Sequence, residues 1–69
     1  MKLVKVIYNK RNDNDIEHFI IYDETSKMYY MDRTWTFNKY KATIFDKYES
    51  DRKIEEINVL YRKIIRGEI

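Results

Sequence analysis

The apolar positions of this chain change period about two-thirds of the way along. Up to Phe45 they alternate or run in short continuous blocks, and from Asp46 onward they recur every three or four residues. The first regime predicts strands and the second an amphipathic helix. Ile54, Ile57, Tyr61 and Ile64 make the helical stripe, and Leu60 and Ile65 widen it. Both ends carry signals. Asp46 and Glu49 have the spacing of a capping box, with Phe45 just before the cap where a staple contact forms. Gly67 stands where a left-handed C-cap is expected. Acidic Asp46, Glu49 and Asp51 near the start, and basic Arg62, Lys63 and Arg66 near the end, suit the helix macrodipole. The pattern predicts a helix over 46–66, ~30 Å long at 1.5 Å per residue.

Ahead of it, residues 2–8 are β-branched and aromatic and predict a strand. Val4, Val6 and Tyr8 lie on one face of it, with Leu3, Lys5 and Ile7 on the other. The polar run from Asn9 to Asp15 predicts a loop. A second strand follows over 16–23, whose continuous Phe-Ile-Ile-Tyr block suits a central strand covered on both faces. A short turn then leads into a third strand over 27–32, and Asp32–Thr34 can turn the chain again. Residues 35–45 support two readings. Asn38 can cap a helix through Tyr40, Ala42, Ile44 and Phe45, or Lys41–Phe45 can form a fourth strand over 41–45. The strand is preferred, because Thr34, Trp35, Thr36, Phe37 and Thr43 all favour extended backbone.

Composition makes this a single small domain, 1–69, without cross-links. A chain of this length buries only about 60% of its unfolded surface. With no cysteine and one histidine, His18, neither disulfides nor a zinc site can compensate. Aromatic packing or self-association remains, and aromatic residues reach 16%. Fourteen Lys and Arg against twelve Asp and Glu leave a net charge of +2. That weak basic bias falls short of the clustering usual in nucleic-acid modules. No apolar run approaches membrane-spanning length and no signal peptide is seen, so the expectation is a cytoplasmic protein with no membrane partner.

Catalytic and cofactor chemistry finds little to work with. Nucleophilic catalysis needs a nucleophile beside a base, yet Ser26 and Ser50 have no base-like neighbour in sequence and His18 sits in a strand. Asp13, Asp15, Glu17 and Glu24 match some positions of a calcium loop, but His18 stands where its glycine belongs. One glycine cannot build a phosphate-binding loop. The expectation is a protein that is not an enzyme and has no cofactor.

Two binding surfaces are open. Lys39, Lys41, Arg62, Lys63 and Arg66, with aromatic residues interleaved around Trp35, Phe37 and Tyr40, outline a nucleic-acid patch. Acidic neighbours dilute it. A protein interface is favoured, because three strands carry apolar residues on both faces while one helix covers only one. Leu3, Ile7, Tyr29, Met31 and Trp35 are the candidate contacts, with Ile7, Tyr29 and Met31 expected to share an exposed face. A homodimer would satisfy the same demand.

The Met-Lys-Leu-Val-Lys-Val opening, and Ala42-Thr-Ile-Phe45 feeding an Asp46-x-x-Glu49 helix start, resemble the small accessory proteins of bacteriophages. These stretches cover a fifth or so of the chain. Such proteins often place Ala after the helix-start Glu, where this chain has Ser50. The resemblance implies counter-defence or host takeover by occupying the surface of a host protein, as anti-CRISPR proteins and phage antitoxins do. It transfers no site residues. The expected fold is α+β: a small antiparallel sheet of three to four strands with a long C-terminal helix across one face. The expected function is a non-enzymatic inhibitor of a host enzyme or defence system, with a small RNA- or DNA-binding regulator as the alternative.

Overall fold

A computed structural model describes residues 1–8 and 17–67, so the loop expected between Asn9 and Asp15, and Ile16 at the start of the expected second strand, lie outside the described residues. Among the described residues, four antiparallel strands stand in the order of the chain: β1 (Leu3–Ile7), β2 (Phe19–Asp23), β3 (Met28–Met31) and β4 (Thr34–Thr36). One turn of 3-10 helix (Lys39–Lys41) and the long helix α1 (Lys47–Ile65) follow. The fold is the expected α+β arrangement of a small sheet and a C-terminal helix.

The register divides the sheet's side chains cleanly. Val4 pairs with Tyr22, Val6 with Ile20, Tyr22 with Tyr29, and Tyr29 with Thr36. Cross-strand partners share a face, so these residues and Met31 line one side. Leu3, Lys5, Ile7, Phe19, Ile21, Asp23, Tyr30 and Trp35 line the other. The helix lies on this second side, over β1 and β2. Lys5 Nζ reaches Asp51 at 2.8 Å, and the Lys53 ammonium stands 5.9 Å from the Tyr30 ring centroid. Phe19, Ile21 and Tyr30 are buried beneath it.

Local chemistry explains the turns. Between β2 and β3 the Asp23 carboxylate accepts from the amides of Lys2 and Thr25 and from the Ser26 hydroxyl, while the Lys27 amide donates to the Asp23 carbonyl. Between β3 and β4 only Asp32 and Arg33 intervene, with φ of 41° and 71°. Two consecutive positive values are the signature of a type I′ hairpin, whose twist matches the strands it joins.

The segment after this hairpin is where the sequence reading needs correction. The fourth strand is Thr34–Thr36 and not 41–45. Asn38 does cap, but it caps one 3-10 turn: its side chain accepts from the Tyr40 amide at 2.9 Å. β2 and β3 pair only at Tyr22–Tyr29 and Asp23–Met28, then part. Residues 43–45 enter the gap, with the Thr43 amide donating to the Tyr30 carbonyl and Phe45 bridging Phe19. The gap admits one bridge, too little for a strand.

To reach that gap from β4 the chain must cross β3, and it crosses on the side away from the helix. Asn38 donates its amide to the hydroxyl of Thr36, a side chain of that face. Ile20, on the same face, is fully buried, and Ala42 is buried at the end of the crossing. Val4, Val6, Tyr22, Tyr29 and Met31 are half-buried. The face expected to stand open therefore carries its own partial cover.

The helix start follows the sequence closely. The Glu49 amide donates to Asp46 at 2.7 Å and the Asp46 amide to Glu49 at 3.3 Å, closing the capping box. The staple does not form as an apolar pair, because Ser50 occupies the fourth helical position and the Phe45 ring lies 6.1 Å from that of Tyr30. Gly67 has φ of 75° and donates its amide to the Ile64 carbonyl, the left-handed exit expected of it.

Candidate binding surfaces

The interface residues expected from sequence do not form one surface. Leu3, Ile7 and Trp35 lie on the helix side of the sheet, and Tyr29 and Met31 on the other. The expectation that Ile7, Tyr29 and Met31 share a face fails on register: Ile7 pairs with Phe19, one residue out of phase with the Tyr22–Tyr29 pair. The proposed basic patch divides as well. Lys39 and Lys41 sit on the crossing over the far face, whereas Arg62, Lys63 and Arg66 end the helix on the near one.

Two other surfaces emerge. The first is the crossing turn. Phe37 and Tyr40 are 72% and 78% exposed, yet the backbone carrying them is pinned. Thr36 Oγ1 holds the Asn38 amide, Asn38 Oδ1 holds the Tyr40 amide, and the Asn38 carbonyl accepts from Lys41. Lys39 stands 5.9 Å from the Tyr40 ring centroid, within cation–π range. The result is a projecting turn of two aromatic and two basic side chains.

The second lies beside the helix. α1 packs over β1 and β2, and between it and the β3–β4 hairpin a groove of about 620 Å³ opens on that side. Tyr30 and Trp35, whose rings meet edge to face at 5.7 Å, form one wall. Ile57, Val59 and Leu60 of the helix form the other, and Arg33, Lys53, Glu56 and Lys63 complete the lining. Lys53 donates to Glu56 at 2.8 Å. That hydrogen bond holds the Lys53 ammonium above its ordinary pKa and the Glu56 carboxyl below its own.

The groove continues onto a bare helix end. Ser50, Ile54, Ile57 and Tyr61 make one stripe whose members are buried or half-buried. Ile64 and Ile65 prolong it, but they are 56% and 64% exposed, and Leu60 beside it is 50% exposed. The helix outruns the sheet it covers. Sequence periodicity could find the stripe but not where its cover ends, since that depends on how the sheet lies beneath it.

Among the described residues no group of three His, Cys, Asp or Glu is placed to hold a metal ion, and no helix is long and apolar enough to cross a membrane. No protein-family model, curated protein or solved structure matches the chain.

Proposed function

We propose that this chain is a non-enzymatic protein-binding module that acts by occupying the surface of a partner protein. The partner class implied by its resemblance to phage accessory proteins is a host enzyme or defence protein. The observation carrying this reading is the pair Phe37 and Tyr40, largely exposed on a hydrogen-bonded turn. Aromatic side chains at this exposure bury little of their surface in the fold. Placed on backbone that is already ordered, they supply the large, low-entropy contacts that dominate protein interfaces.

Lys39 and Lys41 on the same turn favour a second reading, in which Tyr40 or Phe37 stacks on a nucleic-acid base. The experiment is capture from host lysate with the wild-type chain and with Phe37→Ala and Tyr40→Ala, each with and without nuclease, followed by identification of the bound protein. The protein-binding reading expects one protein retained after nuclease treatment and lost with either variant. Loss of all captured material on nuclease treatment would transfer the assignment to nucleic acid. Retention by both variants would remove the turn from the interface.

A further inference from the structure

We infer that the chain forms a two-fold homodimer in which the distal halves of two α1 helices pack antiparallel, Leu60 of each seating at the groove beside the other's Trp35. The surface is separate from the Phe37–Tyr40 turn, and the inference does not depend on the function proposed for that turn.

The chain exposes 5324 Å², whereas a compact monomer of its mass exposes about 4,700 Å² by the usual scaling. Its radius of gyration is 12.8 Å against ~11 Å expected for this length. The chain thus exposes more surface than a compact monomer of its size. The exposed aliphatic residues of α1, Val59, Leu60, Ile64 and Ile65, lie in its distal half.

Charge selects the orientation. Glu56 and Lys63 both line the groove with Leu60. They stand at equal distances on either side of the point between Val59 and Leu60. A two-fold axis through that point brings Glu56 of one copy against Lys63 of the other, twice. A parallel pairing would instead set like against like. Glu56 Oε1 is engaged by Lys53, and its second oxygen is free to accept. Lys63 has no ion pair among the described residues. The edge of β1 offers a poorer route to self-association, because Lys5 sits at the middle of that strand and would face its own copy in antiparallel pairing.

The test is sedimentation velocity and light scattering of the whole chain over a wide concentration range. Wild type is expected to be dimeric, and Leu60→Glu monomeric with unchanged far-ultraviolet circular dichroism. Leu60 is half-exposed, so the variant keeps its fold. Glu56→Lys and Lys63→Glu should each weaken the dimer roughly tenfold, since each sets two like-charged pairs in place of two attractive ones. Mixing the two variants restores association: one chain carries only Lys and the other only Glu at these positions, so both contacts become complementary. Trp35 emission should shift to the blue with dimerisation, and should not do so in Leu60→Glu. A monomeric wild type at every concentration overturns the inference. So does a dimer indifferent to Leu60→Glu, or a variant mixture no tighter than its components.

Discussion

Phe45 exchanges two backbone hydrogen bonds with Phe19, each 2.8 Å long, and so closes the gap that opens where β3 leaves β2. The bridge ties the last residue before the helix cap to the buried central strand. It also sets the Phe45 ring on the helix side, 6.1 Å from Tyr30. Helix, crossing segment and sheet meet at this one position. Truncation of Phe45 to Ala should cost about 2 to 3 kcal/mol, below the value for a fully buried ring because this one is only half-buried. Phe45→Leu, which keeps most of the volume, should cost less than about 1.5 kcal/mol. Urea unfolding followed by circular dichroism measures both, and equal losses for the two would show that the ring is not what the site uses.

The hairpin at Asp32–Arg33 carries an avoidable strain. Arg33 holds φ of 71° with a β-carbon in place, a conformation that costs a non-glycine residue about 1 kcal/mol or more. Arg33→Gly converts the turn to Asp-Gly, the preferred pair for a type I′ loop. Stability should rise by about 0.5 to 1 kcal/mol, read as a higher urea midpoint. A fall in stability would mean that the Arg33 side chain, at the mouth of the groove, contributes more than its backbone costs.

How far the sequence speaks depends on where the deciding interaction lies. The capping box and the Gly67 exit are local, written within four residues of one another, and both stand in the structure. The faces of β1 follow from alternation alone. Residues 34–45 resist because their conformation is settled from outside. Thr34–Thr36 is a strand because a turn without glycine folds it onto β3, and 43–45 is extended because β2 and β3 part beside it. The expected exposed face was misplaced for a similar reason. Periodicity assigns Tyr29 and Met31 to one side of β3, but only the register with β2 and β1 shows that Ile7 is on the opposite side. Likewise the bare end of α1 is invisible in a stripe that continues unbroken to Ile65.

Ser50 is fully buried at the start of the helix, where α1 meets the sheet. Its hydroxyl donates to the Lys47 carbonyl at 2.8 Å, so its polar atom is satisfied within the helix and asks nothing of the sheet. Size is then what the site requires. Ser50→Ala should lie within about 1 kcal/mol of wild type, since the better helix propensity of Ala offsets the lost hydrogen bond. Ser50→Leu must force helix and sheet apart and should cost about 1 to 3 kcal/mol. Thermal melts of the two variants separate a steric site from a polar one. A larger loss in Ser50→Ala than in Ser50→Leu would contradict the steric account.

Asp23 gives the fold a specific weakness in acid. Burial alone would raise the pKa of its carboxyl. The hydrogen bonds from the Lys2 amide, the Ser26 hydroxyl and the Thr25 amide outweigh that effect and hold it below its ordinary 3.8. Because the folded value is depressed, the unfolded chain binds the proton more readily. The stabilisation from this group is therefore complete at pH values above the unfolded pKa and is lost as pH falls through the folded one. Stability measured by urea unfolding should be flat with respect to Asp23 at neutral pH and decline below about pH 4. Asp23→Asn, which cannot ionise and turns one acceptor into a donor, should lower the neutral-pH plateau by about 2 kcal/mol and flatten the acid limb. The decisive quantity is the difference between the two proteins, which should shrink as the pH falls, and a difference that stays constant down the acid limb would show that the Asp23 charge does not stabilise this turn.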